Sequence, residues 1–225
     1  MNHVLVIAAH PDDEIYGMGG TIAKLVSEGK KVSLLIVTDG STAQYRDSEN
    51  LEQILQKKKQ ETANAAKQVG ISAIYYGNLP DMRLDQTEHI AVNRVIENVI
   101  DEIRPDTVFT HFWGDVNLDH QCVYRSTLVA ARPTAGQSVK ELYCYRVPSS
   151  TEWQTTPHNA FIPNCFVDIS AHTDQKTAAI LAYETEIRAY PHPRSAEAVH
   201  ALDTATGLRC GLGAAEEFIL LRKVM

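Results

Sequence analysis

"VLVIAAHPDDEIYGMGG", residues 4–20, decides how the chain folds. Its first six residues, Val4 to Ala9, form a nearly continuous apolar run rich in β-branched side chains, as in a strand buried on both faces of a parallel sheet. The run gives way at once to a histidine, a proline and three carboxylates. From Ile15 to Glu28 the apolar residues Ile22, Leu25 and Val26 then fall at helical spacing, and Gly29 closes the segment as a C′ residue. A strand that feeds a helix through a polar turn opens a β-α-β unit.

The same alternation continues outward. Lys31 to Thr38 reads as a second strand and Ser48 to Gly70 as a long surface helix with Leu51, Ile54, Leu55, Ala63, Ala66 and Val69 on one face. Ala73 to Tyr76 is a short strand, Gln86 to Ile103 a helix stopped before Pro105, and Asp106 to Thr110 a further strand. Beyond Arg132 the pattern loosens: Glu141 to Tyr145, Asn164 to Asp168 and Glu216 to Val224 read as strands, and one helix runs from an N-cap at Ser170 to Ala189. Strands separated by helices require right-handed crossovers, so the expected fold is α/β: a Rossmann-like three-layer α/β/α sandwich with a mostly parallel sheet. With 225 residues and no repeat or linker, one domain over residues 1–225 is expected.

A formal charge of −7 leaves no basic surplus to neutralise a phosphate backbone, so nucleic acid is not an expected partner. Cys122, Cys144, Cys165 and Cys210 stand twenty or more residues apart, without CxxC pairing, and read as buried free thiols. No basic leader precedes the first apolar run and no apolar stretch is long enough to span a bilayer, so a cytoplasmic protein without membrane attachment is expected.

In open α/β sheets ligands bind beyond the carboxyl ends of the strands, where His10 to Glu14 falls. Three adjacent acids repel one another unless a cation compensates, and a divalent metal is the strongest local compensator. The competing reading, acids enriched in a first helical turn, explains Asp12, Asp13 and Glu14 but leaves His10 without a role. A dinucleotide fingerprint fails, because Ile22 stands where the third glycine of GxGxxG belongs; the glycines are better explained by close helix-to-sheet packing. A second polar cluster, "THFWGDVNLDHQ" at residues 110–121, follows another strand at the same sheet edge and supplies His111, Asp115, Asn117, Asp119 and His120. His3, His89, His158, His172 and His200 lack such company and read as structural.

With both clusters in view, the chain resembles the LmbE-like, or PIG-L-type, zinc-dependent N-deacetylases. The resemblance rests on "AHPDDE" at 9–14, "TDG" at 38–40, "NLDH" at 117–120, "SSTEW" at 149–153 and "YPHPRS" at 190–195. It implies that His10, Asp13 and His120 ligate Zn2+, or another divalent metal, and that Asp12 is the general base. Family members commonly carry an oxyanion-stabilising histidine three residues before the last ligand; here that position is Asn117. The amide of Asn117 can donate to an oxyanion but carries no charge, so His111 or His192 is the alternative donor. Asp119 is then left to orient a ligand or contact substrate. Asp39, Arg46, Glu152, Trp153, His192 and Arg194 are candidates for the substrate wall, with Trp153 as a stacking face for a pyranose ring, the arginines for a phosphate or carboxylate, and Asp39 alternatively a simple turn residue. The implied activity is hydrolysis of an acetyl group from an N-acetylated sugar or sugar conjugate. The competing classes are a zinc amidohydrolase acting on a non-sugar amide and a non-catalytic sugar- or nucleotide-binding module. Relatives of this type are often oligomeric, so a homo-oligomer is an expectation too.

Overall fold

The computed structural model describes residues 1–41 and 49–225. Along the chain run β1 (His3–Ala8), α1 (Asp13–Ser27), β2 (Lys31–Thr38), α2 (Leu51–Val69), β3 (Ala73–Leu79), α3 (His89–Ile103), β4 (Thr107–Thr110), α4 (Leu118–Ala130), β5 (Glu141–Tyr145), β6 (Cys165–Asp168), α5 (Thr173–Ala182), α6 (Ala196–Leu208) and β7 (Ala215–Lys223). The strands form one sheet in the order β3-β2-β1-β4-β5-β7-β6. The first five of these pair in parallel, and β7 runs antiparallel to both β5 and β6. The expected α/β sandwich with a mostly parallel sheet is the fold observed.

β1 shows why its sequence has no polar interruption. Val4, Val6 and Ala8 enter a core shared with α1, α2 and α5, while Leu5, Ile7 and Ala9 enter a second core shared with α3 and α4. All six are fully buried, as period-two side chains of a strand covered on both faces must be. Chain order reverses at β1, which has β2 on one side and β4 on the other, so a crevice opens beyond their carboxyl ends.

The glycines after the motif serve packing. A Cβ on Gly17 would stand 2.7 Å from the Arg146 carbonyl oxygen, and one on Gly20 would stand 2.7 Å from Ile169 Cδ1. α1 breaks at Met18 (φ −155°, ψ 24°). The Gly20 and Thr21 N–H groups, which start its second segment, donate to the Glu216 carboxylate at 2.9 and 2.6 Å. That buried carboxylate also meets Lys176 Nζ at 2.8 Å, and Lys176 pairs with Asp203 at 2.7 Å.

The later helices depart from expectation. α5 is capped at His172 rather than Ser170, whose Oγ instead donates to Asp168 (2.6 Å) and accepts the Ala214 N–H (3.0 Å). It also ends at Ala182, seven residues short of Ala189. No helix was read where α4 and α6 lie: α4 buries His120, Ser126 and Thr127, and α6 buries Asp203, Thr206 and Gly207, so neither carries an apolar period. All four cysteines are free, but only Cys144 is buried; Cys210 is exposed. Among the described residues no helix is long and apolar enough to cross a membrane.

Candidate active site

β1 delivers His10 and Asp12 into the crevice, and Asp13 opens α1. Asp12 is held in the left-handed region (φ 104°), a strained conformation for a residue with a side chain. The buried Glu14 carboxylate accepts the Asp12 N–H (3.2 Å) and the Tyr183 hydroxyl (2.6 Å). Glu14 therefore braces the turn. From the other side of the switch point, the loop after β4 carries Asp115 and Asn117, and the first turn of α4 presents Asp119 and His120. Asn117 is the N-cap of α4, its Oδ1 accepting the Asp119 N–H at 2.9 Å.

Three atoms converge. His10 Nδ1 lies 3.3 Å from His120 Nε2 and 3.4 Å from Asp13 Oδ2, and His120 Nε2 lies 3.4 Å from the same oxygen. A tetrahedral zinc bound at about 2.0–2.1 Å separates its ligand atoms by about 3.3–3.4 Å, so this triangle fits one face of such a coordination shell. Asp13 Oδ1 and Asp12 Oδ1 are buried with no hydrogen-bond partner, as carboxylate oxygens beside a cation would be in a protein-only structure.

Each histidine faces a carboxylate through its other nitrogen. His10 Nε2 meets Asp119 Oδ2 at 3.0 Å and Asp81 Oδ1 at 3.1 Å, and His120 Nδ1 lies 3.2 Å from Asp115 Oδ2. Such carboxylates select the tautomer that leaves the opposite nitrogen free for a metal. His10, Asp81 and Asp119 could themselves be grouped as ligands, but with Nδ1 turned to the first triangle the two acids are better placed to hold the Nε2–H. Asp115 is itself held by the Ser150 hydroxyl and by Thr151 Oγ1 at 2.6 Å, and Asp119 also accepts the Met82 and Leu84 N–H groups at 2.7 and 3.0 Å.

The electrostatics show how the acids are compensated without a cation. Burial works against a charged His120, but Asp13 and Asp115 outweigh it and lift its pKa to about 9. Burial likewise opposes a charged His10, and Asp119, Asp13 and Asp81 hold it well above the ordinary value. Burial raises Asp12 to about 7, with Arg194 pulling down and Asp13 pushing up.

The remaining candidates divide. His111 is fully buried, accepts the Ala9 N–H at 2.8 Å and stacks on His120 with ring centres 3.9 Å apart. Burial, followed by the neighbouring His120, lowers its pKa to about 4, so it is a neutral packing support rather than a group open to substrate. His192 accepts the Arg194 N–H through Nδ1 at 3.1 Å and does not line the cavities that meet at the triangle. Asp39 closes its own turn by accepting the Ser41 N–H (2.9 Å), and Glu152 accepts the Ser149 and Ser150 N–H groups (2.6 and 3.3 Å). Arg194 joins the centre directly: its guanidinium meets Asp12 Oδ2 at 3.1 Å, Glu186 at 3.3 Å and Ser149 Oγ at 3.0 Å. Lys58 donates to the other oxygen of Glu186. Trp153 lines the larger cavity, and Arg46 lies outside the described residues. Asp81, Glu186 and Lys58 carry no local motif; only the folded chain brings them to His10 and Arg194.

Residues 5–131 match the PIG-L family, described as GlcNAc-PI de-N-acetylase. The chain belongs to the PIG-L family. Among its relatives, a probable N-acetyl-alpha-D-glucosaminyl L-malate deacetylase 2 of Bacillus subtilis is 26% identical over 188 residues, covering 82% of this chain and 83% of its own. A diacetylchitobiose deacetylase of Thermococcus kodakarensis is 27% identical over 188 residues, covering 81% of this chain and 69% of its own. The crystal structure of the conserved protein TT1542 from Thermus thermophilus superposes with a TM-score of 0.78 at 27% identity, over 100% of this chain and 97% of that one.

Proposed function

We propose that this PIG-L family chain is a zinc-dependent N-deacetylase that hydrolyses the acetamide of an N-acetylated sugar or sugar conjugate to acetate and a free amine. The observation that carries the proposal is the triangle of His10 Nδ1, Asp13 Oδ2 and His120 Nε2 beside the buried carboxylate of Asp12. The deacetylase relatives support the same reading.

A zinc ion held by His10, Asp13 and His120 would polarise the amide carbonyl and acidify a water molecule. Asp12 takes the proton from the attacking water and passes it to the leaving nitrogen, a role suited to a carboxyl whose pKa lies near neutrality. Arg194 fixes the rotamer of Asp12 through their 3.1 Å contact. Asn117 lines both cavities with its Oδ1 committed to the α4 cap and one Nδ2–H directed at the Met82 sulfur (3.8 Å), which leaves the second Nδ2–H to donate to the developing oxyanion. Asp115 and Asp119 face the two imidazoles, and among the described residues the histidines that line the two cavities are these two candidate ligands, His10 and His120.

Acetate release tests the proposal. The zinc-supplemented chain should liberate acetate from N-acetylglucosamine conjugates, and Asp12→Asn should keep its metal while losing turnover. Release by Asp12→Asn at the wild-type rate would remove Asp12 from its role. A chain that hydrolyses only non-sugar amides would move the substrate to the alternative class.

A further inference from the structure

Two cavities meet over Met82, Asn117 and Arg194. The smaller, about 100 Å³, contains His10 and Asp12. The larger, about 390 Å³, is lined by His120 and Asn117 and by Val116, Leu118, Met82 and Trp153. These four large apolar side chains are 42, 52, 49 and 55% exposed. Apolar residues scattered singly over a surface carry no message, but four on one concave wall leading from a reacting centre mark a binding surface.

The charges of that wall narrow its occupant. Among the described residues lining it, the arginine or lysine is Arg194, whose guanidinium Asp12, Glu186 and Ser149 already engage, and His120 belongs to the triangle. Asp85 and Asp119 stand on the same wall. Asp119 is buried and engaged by His10, Met82 and Leu84, so an anionic substituent would meet the exposed Asp85 and a guanidinium already balanced by Asp12 and Glu186. Val116 and Leu118 flank Asn117 in sequence, so the segment that carries the α4 cap also carries the apolar wall.

We infer that the larger groove is the subsite for a neutral apolar aglycone, an aryl or alkyl group on the anomeric oxygen of the acetamido sugar, and that it discriminates against carboxylated or phosphorylated substituents. This rests on the deacetylase reading above and adds the class of substrate. The indole of Trp153 offers a flat face to an aryl ring or extended chain, and the unbranched Met82 adapts to its shape.

Acetate release from phenyl and octyl 2-acetamido-2-deoxyglucosides is compared with release from free N-acetylglucosamine and from a carboxymethyl glycoside. The phenyl and octyl compounds should exceed the free sugar in kcat/KM by about tenfold or more, corresponding to about 1.4 kcal/mol of differential binding. The carboxymethyl compound should fall below the free sugar. In Trp153→Ala combined with Leu118→Ser, the ratio of phenyl glycoside to free sugar should collapse toward unity. A wild-type ratio near unity, or preference for the carboxymethyl compound, overturns the inference. Binding is also read without turnover, as quenching of Trp153 fluorescence in a Trp113→Phe chain. Quenching by the phenyl glycoside with no acetate released from any compound sinks the deacetylase reading and keeps the groove. Equal quenching by phenyl and carboxymethyl compounds overturns the groove whatever the activity. A dimer that Leu118→Lys dissociates, in a chain with no phenyl preference, would assign the patch to a second copy of the chain and also overturn it.

Discussion

Replacing Asp119 by Asn should weaken zinc binding about ten- to a hundredfold with the fold retained, the usual cost of losing a carboxylate that orients a metal-ligating histidine. Asp119 receives three donors: the His10 ring at 3.0 Å and the Met82 N–H at 2.7 Å on Oδ2, and the Leu84 N–H at 3.0 Å on Oδ1. Asn has one acceptor oxygen, so one of these donors must face an NH2 group. If the oxygen stays with His10 and Met82, the buried Leu84 N–H is orphaned, costing about 1–3 kcal/mol of stability. If it turns, the His10 ring and the Met82 N–H both face the NH2 group, and His10 keeps only Asp81 Oδ1 at 3.1 Å. In either rotamer one of the two carboxylate charges behind the imidazole is gone, Asp81 alone remaining, and the affinity loss corresponds to about 1.4–2.8 kcal/mol. Competition for zinc with a chromophoric chelator gives the affinity, and a thermal melt of the same sample checks the fold. A variant that binds zinc within about twofold of wild type would refute the claim that Asp119 orients His10.

Zinc uptake should release protons, because carboxylates keep His10 well above its ordinary pKa and lift His120 to about 9, whereas a ligating imidazole must be neutral. Affinity should therefore strengthen as pH rises toward 9; calorimetry in two buffers of different ionisation enthalpy reads the protons, and a pH-independent affinity would contradict it. Gly17→Ala should cost about 1–3 kcal/mol by forcing a methyl against the Arg146 carbonyl and the Tyr145 ring. A thermal melt unchanged from wild type would count against that packing. Lys176→Ala leaves Asp203 and Glu216 buried without their cation and should cost about 3–5 kcal/mol in urea unfolding. A loss below about 1 kcal/mol would mean that water enters the cluster.

Much of the sheet and the candidate metal triangle can be read locally, for a physical reason. A strand buried on both faces must be apolar throughout, which makes β1 visible, and a His and an Asp at i and i+3 at its end stand out against that run. His120 is visible through its neighbours in "NLDH". The unread helices bury polar side chains, α4 to build the site and α6 to hold Lys176, so the periodic signal that marks α2 is missing from them. For Asp119 the sequence leaves two roles open, orienting a ligand or contacting substrate, and the fold sets it 3.0 Å from His10, in the first of them. Arg194 looks like a substrate-wall residue because its sequence neighbours are loop residues. Its contact with Glu186 spans 8 positions, but its contact with Asp12 spans 182 and exists only after β1 and the segment before α6 are brought together.

The most direct test of the central claim is elemental analysis of metal bound per chain in wild type, Asp12→Asn and His120→Ala, all purified and exposed to zinc alike. The account predicts about one zinc in the first two and little in the third, as removal of one of three protein ligands requires. Full metal content in His120→Ala, or none in the wild type, would contradict it.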